Sequence, residues 1–100
     1  MRYNDESWMI DGFRCKETRH LWEGGKSRRF NSIITVALRK LAMLDAAESL
    51  DDLRIPPANR PEALKGDRKG QHSIRVNDQW RICFRWDNGR VFEVEIVDYQ

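Results

Sequence analysis

The stretch QHSIRVNDQWRICFRWDNGRVFEVEIVD, residues 71–98, decides the fold. Along it apolar and polar side chains alternate with a period of two, the pattern of strands that bury one face. The alternation predicts strands near 71–77, 80–86 and 90–98, joined in sequence as a β-meander. Facing residues of an antiparallel pair share a side of the sheet, and this constrains the turns. Val76 is expected opposite Trp80, leaving Asn77-Asp78-Gln79 as a three-residue loop. By the same rule Trp86 is expected opposite Arg90 around Asp87-Asn88-Gly89, with Gly89 supplying the left-handed residue such a loop needs. A two-residue Asn88-Gly89 turn suits the dipeptide equally well, but it sets Phe84 against Glu93 and mixes the faces. In the three-residue register one face carries Ile74, Val76, Trp80, Ile82, Phe84, Phe92, Val94 and Ile96 and must pack on a helix. The other carries Arg75, Arg81, Cys83, Arg85, Glu93, Glu95, Val97 and Tyr99. Arg75 then lies across from Arg81, and Arg81 across from Glu95.

Upstream, RRFNSIITVALRKLAMLDAA (residues 28–47) places apolar residues at 30, 33, 34, 37, 38, 41 and 44. This is the recurrence of one helical face, with Ser27 as a plausible N-cap. KETRHLWEGG (16–25) reads as a brief helix stopped by Gly24-Gly25. SLDDLRIPPANRP (49–61) reads as a short helical turn at most, then a loop fixed by Pro56, Pro57 and Pro61. Trp8 to Phe13 alternates loosely enough for a short first strand, and residues 1–8 look like an N-terminal extension. The expected fold class is α+β: a small antiparallel β-sheet, the meander plus a short N-terminal strand, packed on one face by two N-terminal helices. Residues 1–100 read as a single domain.

With 40% apolar and 34% charged residues the chain has an ordinary soluble composition. No apolar run approaches the roughly 20 residues needed to span a bilayer, and the start lacks the pattern of a secretory signal. A cytoplasmic location is expected, without membrane association. Cys15 and Cys83 lack the company of further ligands, so they are expected to be buried or half-buried thiols, and no metal site is expected.

Charge is distributed unevenly. Residues 65–86 hold six Lys/Arg against two Asp/Glu, whereas residues 87–100 hold one against four. Like charges opposed across a sheet cost a few tenths to about 1 kcal/mol, so Arg75 facing Arg81 is a local conflict. Two resolutions are open at this level. Glu93 and Glu95 neutralise the arginines in a solvated ladder, or an anion completes the site. A phosphodiester is the natural anion, since the guanidinium fork matches phosphate oxygens. Tyr99 reaches the same face, either to cap the sheet edge or to stack on a base. Lys65-Gly66-Asp67-Arg68-Lys69-Gly70 is a basic turn that does not match a nucleotide-binding phosphate loop. It is either solvated or holds an RNA backbone. His72 falls on the apolar face and His20 on the first helix, and neither is read as a general base.

The runs ALKGDRKGQHSIRVNDQWRICFRW, KLAMLDAAESLDDLRIPP and VEIVDY resemble the HigB toxins of the RelE superfamily, over roughly residues 9–100. The resemblance implies a toxin of a toxin–antitoxin pair, held silent by a HigA-type helix-turn-helix antitoxin. It implies a ribosome-dependent endoribonuclease that cuts mRNA in the A site without a metal or small-molecule cofactor. The mRNA 2′-OH attacks the adjacent phosphate in that family, and cationic side chains stabilise the developing charge. By motif position the catalytic residues are Arg81, Lys65, Tyr99 and Asp98, with Arg68, Lys69, Arg75 and Arg85 as RNA-binding cations. Two positions depart from the family pattern. Gln100 stands where many members end in histidine, and Glu62 where some carry another histidine. These departures keep an attenuated homologue, which binds antitoxin or RNA without efficient cleavage, as the alternative. A third reading is a non-catalytic RNA- or ribosome-binding module.

Overall fold

A computed structural model describes residues 10–99; the expected extension at 1–8, the first part of the strand expected at Trp8–Phe13, and Gln100 lie outside them. Two helices, α1 (Lys16–Gly24) and α2 (Ile34–Ala46), precede four strands. The strands are β1 (Glu62–Ala63), β2 (Gln71–Arg75), β3 (Trp80–Asp87) and β4 (Arg90–Asp98), each antiparallel to the next in the order β1-β2-β3-β4. The helices cover one face, as expected.

Helix α1 ends where glycine makes it cheap to end. Gly25 adopts a left-handed φ of 71° and returns its N–H to the Leu21 carbonyl at 2.8 Å. The long helix starts later than its apolar spacing suggests. Ser27 Oγ does accept from the Phe30 N–H at 3.0 Å, but this closes only a turn. A 3₁₀ segment, Asn31–Ile33, follows before α2 begins at Ile34. Asn and Ser compete for backbone hydrogen bonds and the next residues are β-branched, so regular helix is delayed here. The predicted apolar stripe is nonetheless real: Phe30, Ile33, Ala37, Leu41 and Leu44 are buried, while Ile34 and Leu38 flank them half-buried. They meet Ile74, Ile82, Phe84, Val94 and Ile96 from the sheet, and Phe30 sets its ring edge-on to Trp80 at 5.3 Å.

The first hairpin has the expected register. Ile74 pairs with Ile82 and Arg75 with Arg81, and the loop side chain of Asn77 accepts from the N–H groups of Gln79 and Trp80. The second differs. Asp87 pairs with Arg90 around a two-residue Asn88-Gly89 turn, both residues at positive φ, 55° and 81°. That is the geometry which matches the natural strand twist. The mixing of faces that such a turn threatens is undone by a β-bulge. Arg85 pairs with Phe92 but Cys83 with Glu95, so Glu93 and Val94 together face Phe84, with Glu93 at φ 52°. Beyond the bulge Val94 and Ile96 point into the core as expected. Before it the phase is reversed: Val91 is buried, Phe92 moves to the other side, and Trp86 faces Val91 rather than Arg90. Arg81 consequently lies opposite Val97, not Glu95.

The N-terminal segment meets the outer edge of β4 as two isolated parallel bridges, Ile10 with Val91 and Phe13 with Val94, rather than as a continuous antiparallel strand. Next to it the buried Thr18 hydroxyl of α1 accepts from the Ile96 N–H at 3.1 Å. At the opposite edge β1 is an element that the residue pattern does not display. Its two residues, between Pro61 and Gly66, are too few to show an alternation.

One buried cation stands on the helical side. Lys40 Nζ donates to Asn59 Oδ1 at 2.5 Å. Burial, with repulsion from Arg39 and Arg75, holds the Lys40 ammonium below its ordinary value of 10.5. Between the depressed value and the ordinary one the unfolded chain binds more protons than the folded chain, so stability rises with pH across that interval. In urea titrations from pH 7 to about 10.5, wild type should therefore gain stability relative to Lys40→Met as pH increases. A constant difference would show that this ammonium carries no such penalty.

Candidate RNA-cleavage site

Arg81 leaves β3 on the face away from the helices, yet it is only 6% exposed. Its cover comes from β1, the loop before it, and the chain end. Nε donates to Ser73 Oγ at 2.8 Å, and Nη2 donates to the carbonyl oxygens of Arg60 at 2.5 Å and Ser73 at 3.4 Å. Glu62 Oε1 stands 3.8 Å from Nη2, and the Tyr99 ring lies over the guanidinium, 5.4 Å from centroid to Cζ. No described residue accepts from Nη1. The guanidinium is thus held mainly by neutral acceptors, with Nη1 uncommitted among the described residues.

Two of the groups around Arg81, Glu62 and Tyr99, also line a shallow depression with Ala63, Leu64 and Lys65. Lys65 is exposed and extended, at the entrance of the 3₁₀ turn Gly66–Arg68. Tyr99 is 46% exposed and pinned through its N–H to the Gln79 carbonyl at 2.6 Å. Of the predicted residues, Lys65 and Tyr99 line this depression, and Arg81 meets it through Tyr99 and Glu62. Asp98 does not share their side. It pairs with Trp80 and accepts from Gln79 Nε2 at 3.0 Å. Among the described residues no group of three His, Cys, Asp or Glu side chains is placed to share a metal ion.

The remaining cations are spread over the same face, mostly tied to carboxylates. Arg68 Nη1 donates to Gln71 Oε1 at 3.0 Å and Glu95 Oε1 at 3.2 Å. Arg85 Nε donates to Glu93 Oε1 at 3.1 Å, and Arg75 pairs with Asp78 inside its own loop. Arg85 can lie across the basic turn because Gly70, at φ 94°, has no side chain; a Cβ there would stand 2.8 Å from Nη1. Lys69 is exposed. The expected neutralisation by Glu93 and Glu95 thus exists, but it serves Arg85 and Arg68 and leaves Arg81 aside. Between Arg68 and Arg81 sits Cys83, whose thiol burial pushes upward in pKa, so it is a packing group rather than a nucleophile. Cys15 is half-buried and both thiols are free. His72 stacks on Phe84 at 6.0 Å, and His20 is exposed on α1.

Ser73 and the Arg60 carbonyl are the parts of this site that residue patterns did not reveal. Ser73 has the parity of the open face and was legible in principle. A backbone carbonyl carries no side-chain signature at all.

Because Arg81 is buried and donates to Ser73 and to the Arg60 carbonyl, its truncation leaves buried acceptors without this donor and costs stability. Arg81→Ala is expected to destabilise the fold by about 1–3 kcal/mol in urea denaturation. Lys65→Ala, at an exposed position, is expected to stay within about 0.5 kcal/mol of wild type.

The family model described as RelE-like toxin of type II toxin-antitoxin system HigB matches residues 11–100. The protein is 47% identical over 79 residues to Toxin HigB-1 of Vibrio cholerae serotype O1, covering 77% of this chain and 83% of that one. It is 30% identical over 92 residues to Endoribonuclease HigB of Proteus vulgaris, covering 91% of this chain and 99% of the relative. In fold it is similar to YafQ from E. coli, with TM-score 0.57, 10% identity and coverage of 89% of this chain and 92% of that one. It is similar also to the YoeB-YefM complex from Staphylococcus aureus, with TM-score 0.54, 17% identity and coverage of 91% and 97%. Helices on one face of this meander and a match over nearly the whole described chain agree, and the chain belongs to the HigB family of RelE-like toxins of type II toxin–antitoxin systems.

Proposed function

We propose that the protein is an endoribonuclease that cuts mRNA in the ribosomal A site and so arrests translation and growth. The observation that carries this reading is the Arg81 guanidinium, held by Ser73 and the Arg60 carbonyl under the ring of Tyr99, which shares a shallow depression with Lys65. In the reaction the 2′-oxygen attacks the adjacent phosphorus and the bond from phosphorus to the 5′-oxygen breaks. The products end in a 2′,3′-cyclic phosphate and a 5′-hydroxyl. Negative charge grows on the non-bridging oxygens, and Arg81 and Lys65 stabilise it without a metal ion. Preorganised donors of this kind are often the largest single contribution to catalysis, because they need no rearrangement as charge develops. Tyr99 offers a ring on which a base can stack, and Asp98 holds the chain end in place through Gln79. Arg68, Lys69, Arg75 and Arg85 hold the backbone; the carboxylate pairs of the three arginines are part-exposed or exposed and exchange readily for phosphate. The ribosome supplies orientation, which alone can be worth several kcal/mol, in place of a strong acid–base pair. On this reading the protein acts in the cytoplasm and is silenced by a HigA-type helix-turn-helix antitoxin.

A second reading is an attenuated homologue that binds antitoxin, RNA or ribosome without efficient cleavage. The pairing of Arg68, Arg75 and Arg85 with carboxylates favours it, since each pair weakens the pull on an RNA backbone.

Controlled expression in a bacterium, with primer extension on abundant transcripts, separates the two. Growth arrest and cuts inside translated codons are expected, and Lys65→Ala should lower cleavage by about 10²–10³-fold while the protein remains folded. Purified protein should barely degrade naked RNA. Absence of arrest and of cuts for wild type would favour the attenuated homologue, and vigorous ribosome-free cleavage would overturn the positioning role of the ribosome.

A further inference from the structure

We propose that Asn59, anchored by Lys40, is a positioning residue for Arg81 and acts through the backbone carbonyl of Arg60. This rests on the reading of Arg81 as the charge-stabilising arginine. The path begins on the helical side of the sheet and ends on the open one. β1 pairs with only His72 and Ser73 of β2, so the outer edge of β2 beyond them is available to another segment. The 3₁₀ turn Pro57–Asn59 lies there, between α2 and the open face.

Within this turn Asn59 is the one buried residue; Pro57, Ala58 and the following Arg60 are exposed. All of the Asn59 amide is used. Nδ2 donates to the carbonyl oxygens of Leu53 at 3.1 Å and Ile55 at 3.5 Å, and approaches Met43 Sδ at 3.6 Å. Oδ1 accepts from Lys40 Nζ of α2 at 2.5 Å. The next residue, Arg60, adopts φ 42° and ψ 65°, a left-handed conformation that a residue with a side chain reaches only under constraint. Its N–H returns to the Pro57 carbonyl at 3.1 Å. In this conformation its carbonyl oxygen meets Arg81 Nη2. The direction of this carbonyl depends on the residues that flank it, and of these Asn59 is the one that is buried and hydrogen-bonded through its side chain to both α2 and the preceding loop.

Lys40 supplies the second line of evidence. A buried ammonium that meets a neutral amide and feels two arginines is an expensive choice for a helix that otherwise buries leucine and alanine. Local conflicts of this kind are retained where they serve a site. Holding Asn59 Oδ1 is the service visible here, since the amide cannot rotate away while its oxygen is bound to α2.

The test uses single-turnover cleavage of mRNA on programmed ribosomes, together with binding of the protein to those ribosomes. Asn59→Ala and Arg60→Pro should slow cleavage by about 10–100-fold, the scale expected for a misplaced group, with ribosome affinity within about twofold of wild type. Arg60→Gly keeps the carbonyl and favours the left-handed conformation, so it should lose at least tenfold less cleavage than Arg60→Pro. Should Asn59→Ala fail to fold, Lys40→Met keeps an apolar chain of similar length in the core and should slow cleavage in the same way. A readout independent of activity is the exchange of the Arg81 guanidinium hydrogens, followed by NMR. Exchange should speed up at least tenfold in the slow variants while core amides of β3 stay protected. Arg81→Lys is run alongside. If it is slow while Asn59→Ala, Lys40→Met and Arg60→Pro cleave normally, the positioning proposal alone falls. If Arg81→Lys cleaves at the wild-type rate, the reading of Arg81 falls and takes the proposal with it. Loss in Arg60→Gly equal to that in Arg60→Pro would also overturn it, by assigning the effect to the side chain.

Discussion

The extra residue in β4 is the constraint on which both faces of this protein depend. Strands have a strict period of two, so a two-residue turn at Asn88-Gly89, continued without interruption, would have put Ile96 on the side of Arg81 and Tyr99 on the side of the helices. Allowing Glu93 and Val94 to share one partner resets the phase. It returns Val94 and Ile96 to the core and carries Tyr99 across to lie over Arg81. The cost is a glutamate at φ 52°. Its side chain is used locally, accepting from Arg85 and standing near Arg14.

Arg68, Arg75, Arg81 and Arg85 lie on the open face or its rim, and their surroundings make them unequal. Arg68, Arg75 and Arg85 keep part of their hydration and face carboxylates, pairs that contribute at most about 1 kcal/mol each. Arg81 has lost its water and is compensated chiefly by a hydroxyl and two carbonyls, which satisfy its donors without cancelling its charge. Glu62 approaches only one nitrogen, at 3.8 Å, and is itself half exposed. A charge kept whole in a region of poor screening exerts a stronger field than any of its exposed neighbours. The opposition of Arg75 and Arg81 across the first hairpin is relieved in the same way, because Arg75 turns into its loop toward Asp78.

Much of the architecture was legible because its signals are periodic. The stripe from Phe30 to Leu44, the stop at Gly25 and the pairing of Arg75 with Arg81 each follow from spacing and one local rule. Face continuity speaks against a turn at Asn88-Gly89, and that reasoning fails only when a bulge intervenes. Nothing in the identity of Glu93 announces one, since glutamate is an uncommon choice at positive φ. β1 is invisible to such reasoning because two residues cannot display a period. The gathering of Arg81, Lys65 and Tyr99 follows from motif position, whereas the burial of Arg81 does not. That burial comes from segments distant in sequence, the loop at Arg60 and the chain end, whose approach depends on the whole fold.

The cover over the β4 edge has a consequence for contact between copies of the chain. A sheet border normally offers a row of unused donors and acceptors on which a second copy can build. Here Asp11, Gly12 and Arg14 exchange hydrogen bonds with Val91 and Val94, and a threonine hydroxyl takes the Ile96 amide. Two bridges and a hydroxyl occupy the border at Val91, Val94 and Ile96 without forming a continuous new ladder. A second copy therefore finds few free groups along this stretch of the β4 border on which to add a strand.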